Sequence, residues 1–294
     1  MPAAELEVTA DLVRRLLAAQ HPDLAGLTVQ PLANGWDNTL FLLGEELVAR
    51  LPRRTLGASI LLNEQRWLPL LAPRLPLPVP VPVRTGGPGE GYPWPWSIVA
   101  LLPGTPASDG PPLDPRRAAA DLGGFFGALH APAPPDAPAN PYRGVPLARR
   151  AANVEKNLAT VAGQVDREAV LAAWTAALAV PEWDGAPVWL HGDPHPANIL
   201  IRDRGVSGVL DFGDITSGDP ATDLSLAWML LPATCHDLFR AAYAEAAGAP
   251  ISDATWARGR GWALNLALVF LAWSADNPRL HAVGQHTLAA ALAQ

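Results

Sequence analysis

The chain is 294 residues long, 49% hydrophobic and 17% charged, with a formal net charge of -7. That length can hold one large domain or two lobes with a well-filled core. The acidic balance, with no Lys/Arg block interleaved with aromatics, speaks against a nucleic-acid surface, and Arg53-Arg54 and Arg149-Arg150 read as isolated surface pairs.

In chain order, residues 8–20 place Val8, Leu12, Leu16 and Leu17 at helical spacing, with Thr9 available as N-cap. Glu5, Glu7 and Asp11, with no basic stretch before an apolar core, set this terminus apart from a signal peptide. Residues 29–32, 39–43 and 47–51 are strand candidates, the last two joined by Gly44-Glu45-Glu46 as a tight turn. Helical spacing resumes over 60–71. Residues 76–83 alternate Pro with Leu or Val, extended but a poor central strand. Residues 96–101 form a buried strand by composition, and a boundary falls near Leu102-Pro103-Gly104.

Beyond it, 116–130 is a helix, 131–141 is Pro/Ala-rich and irregular, and helices are expected over 146–161 and 167–180. Short apolar runs at 188–190, 199–201 and 206–210 read as strands of a hairpin-like platform, followed by helices over 222–231, 236–247, 252–273 and 281–293. The apolar stretch 261–273 is too short for a membrane span and reads as a buried helix. Cys235 is the only cysteine, so no internal disulfide exists, which fits a reducing cytoplasm. The sum is an α+β chain of two lobes, a strand-rich 1–102 and a mainly helical 103–294.

The chemistry concentrates in His191-Gly192-Asp193-Pro194-His195-Pro196-Ala197-Asn198 and Asp211-Phe212-Gly213. Asn198 follows Asp193 by five residues, as in H-R-D-L-x-x-x-N, and Asp211 opens a D-F-G. Phosphoryl transfer needs such a set: a carboxylate to orient the acceptor hydroxyl, and oxygen ligands for the magnesium that neutralises phosphate charge. Asp193 is a weak base at a carboxylate's ordinary pKa, so orienting the hydroxyl is its better description. His191 reads as a brace for the loop, and His195 either as facing the acceptor or as a ring hydrogen-bonded to a backbone carbonyl. Asp214 could approach a phosphate or serve as scaffold. Asp219, before Pro220, reads as an N-cap, and Asp223 as a first-turn acid favoured by the helix dipole.

No G-x-x-x-x-G-K-[ST] loop occurs, which excludes a P-loop enzyme. His191 and His195 form an H-x-x-x-H without the intervening Glu and broken by prolines, unlike a zinc helix.

On these motifs the chain resembles the aminoglycoside/macrolide phosphotransferase family, relatives of the protein kinases. The resemblance implies a bilobal protein-kinase-like fold with a nucleotide-binding lobe at 1–102 and a catalytic, acceptor-binding lobe at 103–294. It implies ATP or GTP as donor, Mg2+ held by Asn198 and Asp211, and Asp193 as the catalytic carboxylate, supported by His191 and His195, with the segment around Asp219 and Asp223 bracing the catalytic loop. Asn34-Gly35-Trp36-Asp37-Asn38 resembles the family's phosphate-covering turn, with Gly35 and Asn38 facing the nucleotide. Arg50 stands where kinases carry the phosphate-pairing Lys, with Glu64 placed to pair with it; a guanidinium fork meets phosphate differently from an ammonium. Backbone groups at Ala100 and Leu102 would read the purine edge, with Leu42, Val48 and Ile98 over its faces.

The implied partners are a nucleoside triphosphate and a small hydroxylated acceptor, with no nucleic acid and no membrane. The implied acceptor helices, 131–180 and 235–294, hold eight acids against nine Lys and Arg, so the acidic surplus a dedicated polycation site needs is missing. Trp174, Trp256, Trp273, Tyr142 and Tyr243 would suit a large, partly apolar acceptor such as a macrolide, with Trp262 a core residue. Open alternatives are a metabolic small-molecule kinase and an inactive nucleotide-sensing pseudokinase. A protein substrate is disfavoured, since no A-P-E follows D-F-G.

Overall fold

Short apolar runs in the first third build a sheet in the computed structural model, which describes residues 3–110 and 114–293. The chain forms two units, one running to Pro73 and including Val79–Leu102, the other comprising Arg74–Pro78 and everything from Pro103 onward.

In the first unit, helix α1 (Ala10–Gln20) is capped by Thr9, whose hydroxyl accepts from Leu12 N. It precedes strands β1 (Val29–Asn34), β2 (Asn38–Leu43) and β3 (Leu47–Pro52), the helix α2 (Thr55–Leu71), and strands β4 (Pro82–Gly86) and β5 (Trp96–Ala100). The sheet order is β1-β2-β3-β5-β4, antiparallel throughout. Gly44, at φ +60°, makes the expected β2–β3 turn possible.

The period of two divides β3 between the sheet's faces. Ala49 and Leu51 join Val13, Leu16 and Leu17 of α1, Phe41, Leu43, Trp96 and Ile98 in one core cluster. Each such side chain, fully buried, contributes about 1.5–3 kcal/mol. Arg50 points to the opposite face. Ile98 therefore packs beneath α1 and does not share a face with Leu42 and Val48, which face each other across β2 and β3. The run at 96–101, apolar except for Ser97, had concealed that choice. Helix α2 begins five residues before the expected start, because Arg54 at its N-cap makes no side-chain capping bond and leaves no sequence signal. The Pro-alternating run stays outside the sheet up to Val81; β4, which begins at Pro82, pairs only with β5 at the sheet's edge, where a first-position proline is tolerated.

The second unit contains β6 (Thr105–Pro106), α3 (Pro115–Leu129), α4 (Ala151–Thr160), α5 (Arg167–Leu178), β7 (Val188–Leu190), β8 (Ile199–Arg202), β9 (Gly205–Val209) and β10 (Thr216–Gly218). Helices α6 (Ala221–Leu224), α7 (Leu226–Leu230), α8 (His236–Ala247), α9 (Asp253–Trp273) and α10 (Pro278–Leu292) follow. Helix α9 is buried on nearly all sides. Trp262, Leu264 and Leu268 pack with Val154 and Leu158 of α4, Val170 and Trp174 of α5 and Leu288 of α10. Among the described residues no helix is long and apolar enough to cross a membrane. Gly123 and Gly127 let α3 approach α8 closely: a Cβ at either would lie 2.3 or 2.5 Å from the carbonyl oxygens of Phe239 and Tyr243.

Three expectations need correction. Residues 222–231 form two helices, parted at Ser225, whose hydroxyl bonds the Thr222 carbonyl. Residues 147–150 form a 3-10 turn leading into α4. The three catalytic strands are not one platform: β8 and β9 form a hairpin, whereas β7 pairs with β10. The hairpin closes on two residues, Asp203 and Arg204, both left-handed at φ +47° and +67°.

Candidate active site

The loop from His191 to Asn198 lies between β7 and β8, and the following chain holds it from beneath. Buried Asp223 accepts from His191 N at 2.7 Å and from Gly192 N at 2.9 Å. Its Oδ2 also lies 3.2 Å from Nε2 of buried His130, whose Nδ1 is 3.0 Å from the Tyr243 hydroxyl. Asp223 does lie in a first helical turn, and its carboxylate turns inward to brace the catalytic loop, as the resemblance implied for this segment; satisfying the loop N–H groups costs far less than leaving them buried and unpaired. Asp219 accepts from Ala221 N and forms a bidentate pair with buried Arg258 at 2.7 and 3.2 Å.

Gly192 is at φ +89°, and a Cβ there would fall 2.2 Å from the Asp214 carbonyl oxygen. Gly192→Ala is expected to lose about 1–2 kcal/mol from the backbone conformation alone, plus the clash. A lower Tm together with lower turnover checks this.

The ring of His191 is buried. Its Nδ1 accepts from Asp193 N at 3.2 Å, and Nε2 donates to the Leu210 carbonyl at 2.8 Å. The ring packs 4.6 Å from that of Phe212. One histidine thus ties the loop to D-F-G. Asn198 N–H reaches the His195 carbonyl, and its Nδ2 donates to the Asp193 carbonyl at 3.1 Å, turning Oδ1 the other way. Leu210 N donates to the Asn198 carbonyl at 2.8 Å. Asp211 is left-handed at φ +59°, and its Oδ1 accepts from Gly213 N.

His195 corrects an expectation. Its Nδ1 accepts from Ala197 N at 3.3 Å, where a bond to a backbone carbonyl was one of the two expectations, because the short helical turn at 196–198 offers an unpaired N–H. Nε2 lies 3.6 Å from Asp193 Oδ2, and the ring meets Phe270 edge-on at 5.7 Å. Burial pushes the His195 pKa down against the pull of Asp193.

Two residues on the Pro-rich segment complete this unit's site. Arg143 Nη2 donates to Asp193 Oδ1 at 2.8 Å. Burial opposes ionisation of Asp193, but Arg143 and then His195 outweigh it and hold the carboxyl below its ordinary pKa. Asn140 Nδ2 donates to Asp214 Oδ1 at 2.6 Å, while burial and the nearby Asp193 charge push the Asp214 carboxyl up. Neither residue belongs to a motif. Asn140 falls within the Pro/Ala-rich stretch and Arg143 just after it, with no pattern to mark either.

In the first unit, Arg50 and Glu64 are both buried and joined by two bonds, Nη1–Oε2 at 2.5 Å and Nη2–Oε1 at 3.0 Å. Gln65, next on α2, holds β5 through the Trp96 carbonyl and the Ser97 hydroxyl. The 34–38 turn closes with Gly35 N donating to the Asn38 carbonyl at 2.8 Å. Arg53 and Arg54 are not plain surface charges: Arg53 N and the Arg54 guanidinium both bind Asp37, fastening this turn to the start of α2. Leu101 N donates to the Glu46 carbonyl, so Ala100 and Leu102 turn their backbone groups to the other edge of the strand. The register of β4 on that edge ends at Val99.

The aromatic set also narrows. Trp174, Trp262 and Tyr243 are buried and Trp256 packs 4.6 Å from Trp228, which leaves Tyr142 and Trp273 exposed. Arg150, expected at the surface, is half-buried with its guanidinium 5.6 Å over the Tyr142 ring.

The donor set fits magnesium: the Asn198 amide oxygen and the Asp211 carboxylate are hard oxygen ligands, and a magnesium site draws its remaining ligands from phosphate and water. Among the described residues, no cluster of three or more His, Cys, Asp or Glu could hold a metal.

Comparison with known proteins agrees with this fold. A GDP-bound aminoglycoside 2'-phosphotransferase-IIIa shares the fold at TM-score 0.67 and 20% identity, over 97% of this chain and 99% of that one. A macrolide 2'-phosphotransferase from Brachybacterium faecium does so at 0.62 and 24%, over 95% and 97%. A type I macrolide 2'-phosphotransferase reaches 0.61 and 23%, over 100% and 98%. No curated protein matches the sequence. The model of the phosphotransferase enzyme family matches residues 28–262, most of the chain, and the protein therefore belongs to that family.

Proposed function

We propose that this enzyme transfers the terminal phosphate of ATP or GTP to a hydroxyl of a small molecule, in the cytoplasm and with magnesium. The observation that carries the reading is the held carboxylate. Asp193 stands on a loop anchored by Asp223, its carbonyl is tied by Asn198, and Arg143 occupies Oδ1. Oδ2 is the oxygen left to receive and align an acceptor hydroxyl, the main service a protein renders to a loose phosphoryl transition state.

Magnesium, bound through Asn198 and Asp211, would neutralise phosphate charge. In the first unit, Arg50 would meet a phosphate while Glu64 fixes its fork, and Gly35 and Asn38 would cover the phosphates. Ala100 and Leu102 would offer backbone groups to the base, with Leu42 and Val48 over its face. Macrolide and aminoglycoside acceptors enter through the relatives named above, whose acceptors belong to those two classes.

The test is release of ADP or GDP over a panel of hydroxylated antibiotics and metabolites. Acceptor-stimulated release that depends on Asp193 supports the reading. Nucleotide binding without stimulation by any acceptor turns it toward a nucleotide-sensing pseudokinase.

A further inference from the structure

Arg143 is held more firmly, and used less fully, than a mere partner for Asp193 needs to be. Residues 138–144 are strapped across the catalytic segment. The Pro138 carbonyl accepts from the Thr216 hydroxyl, Asn140 Nδ2 binds Asp214, and Asn140 Oδ1 accepts from Tyr142 N. Gly144 N donates to the Thr222 hydroxyl at 3.1 Å, and the Gly144 carbonyl accepts from Asp219 N at 3.0 Å. Gly144 is left-handed at φ +68°, and a Cβ there would fall 2.9 Å from the Ser217 carbonyl oxygen, so glycine lets the strap lie this close. Arg143 is thus bracketed by anchored neighbours, Asn140 before it and Gly144 after it.

A guanidinium carries five N–H donors in a planar fork. Among the described residues Arg143 spends one of them, from Nη2 to Asp193 Oδ1 at 2.8 Å. Nε is buried without a partner. Nη1 has no partner either, but it is not sealed: the side chain keeps 16% of its surface, beside a carboxylate that keeps 28%. Burial alone would lower the Arg143 pKa, but the charges of Asp193 and Asp214 outweigh it and keep the group a fixed cation.

To hold one carboxylate oxygen, a single donor would do. An open, charged nitrogen of a planar fork suits a second anion. The anion that must come here is the phosphoryl group, because Asp193 aligns the hydroxyl that attacks it. In a productive complex the phosphorus stands about 3–3.5 Å from that hydroxyl oxygen. Charge in the loose transition state is spread over three equatorial oxygens, and an arginine supplied in cis stabilises it in other phosphoryl-transfer enzymes. Asp193 and Asp214 offer those oxygens only repulsion.

We propose that Arg143 is a second catalytic residue, with Nη1 donating to an equatorial oxygen of the phosphoryl group in flight while Nη2 keeps hold of Asp193. The acceptor oxygen bonds the terminal phosphorus as that phosphorus parts from the bridging oxygen. The bond pair leaves with the nucleoside diphosphate, and the hydroxyl proton passes late to Asp193 Oδ2 and from there to solvent. Arg143 gives up no proton. This deepens the phosphotransfer reading and rests on it.

The test is an equilibrium titration of the full chain with ADP or GDP and magnesium, with and without aluminium fluoride, a stand-in for the phosphoryl group in flight. The tightening that fluoride brings is compared in the unaltered chain, Arg143→Gln, Asp193→Ala and the double variant. Arg143→Gln is expected to reduce the tightening by at least about tenfold, the scale of one charge-assisted hydrogen bond. A similar factor is expected when Asp193 is already alanine. Arg143→Lys, which keeps the charge without the fork, falls between. Because each value is a ratio of two affinities of one protein, a general loss of fold cancels. Three results overturn the proposal: no tightening in the unaltered chain, tightening untouched by Arg143→Gln, or a loss that vanishes once Asp193 is alanine. The last would leave Arg143 a support for Asp193 alone. Failure of the phosphotransfer reading looks different: no Asp193-dependent, acceptor-stimulated nucleotide turnover, whatever fluoride does.

Discussion

Alanine at position 193 is expected to lower acceptor-dependent kcat by roughly 10²–10⁴-fold, the range for a positioned acid or base, with nucleotide affinity changed far less. The asymmetry follows from what the carboxylate touches: Arg143 on one oxygen, His195 near the other. Alanine also leaves Arg143 beside an uncompensated hole, so a loss of stability accompanies the loss of rate. Asp193→Asn separates the two, because its amide oxygen still accepts from Arg143 while the charge is gone. A low kcat with wild-type Tm in Asp193→Asn is the expected result. Full activity in either variant would remove Asp193 from the chemistry.

Asp223→Ala is expected to have the largest structural effect. It removes one carboxylate and strands three groups, the amides of His191 and Gly192 and the imidazole of His130. Breaking a buried charged network of this kind costs about 3–5 kcal/mol, a Tm fall on the order of 10 °C. Turnover falls with it, because the stranded amides belong to the loop that carries Asp193. Asp223→Asn keeps one acceptor oxygen where the carboxylate served three groups, and falls between. Thermal melts of the three proteins, with turnover measured well below the lowest Tm, check the order. A wild-type melt for Asp223→Ala would mean that the loop is anchored elsewhere.

What could be read from sequence follows a physical line. Short-range patterns were legible: Thr9 before α1, the β2–β3 turn at Gly44, and the intervals linking Asp193, Asn198 and Asp211. Side-chain direction within mostly apolar runs was not, so Ile98 was placed on the wrong face. Long-range pairing was also hidden. No local pattern near Asp223 announces that its carboxylate meets amides thirty residues earlier; only the family resemblance implied that this segment braces the catalytic loop. Arg143 carries no pattern either, because its placement comes from backbone bonds between a Pro-rich strap and the β10–α6 segment. Helix starts without side-chain caps, as at Arg54, were the other blind spot. Motifs record contacts with ligands more faithfully than the supports that aim them.

Left-handed backbone at Asp203, Arg204 and Asp211 separates two kinds of strain that look alike in torsion space. At the two-residue hairpin turn, where Asn-Gly is the favoured pair, Arg204→Gly relieves conformational cost without touching the loop that carries Asp193. It is expected to raise Tm by a degree or more, for a gain of about 0.5–1 kcal/mol. At Asp211 the same exchange would suit the backbone equally well and would delete a carboxylate proposed to hold magnesium. An engineer ranking positions by torsion alone would treat the two sites as equivalent. Selection for thermal resistance therefore has an open route at the turn, whereas at Asp211 the awkward torsion persists as the toll for keeping an acid where glycine would rest more easily.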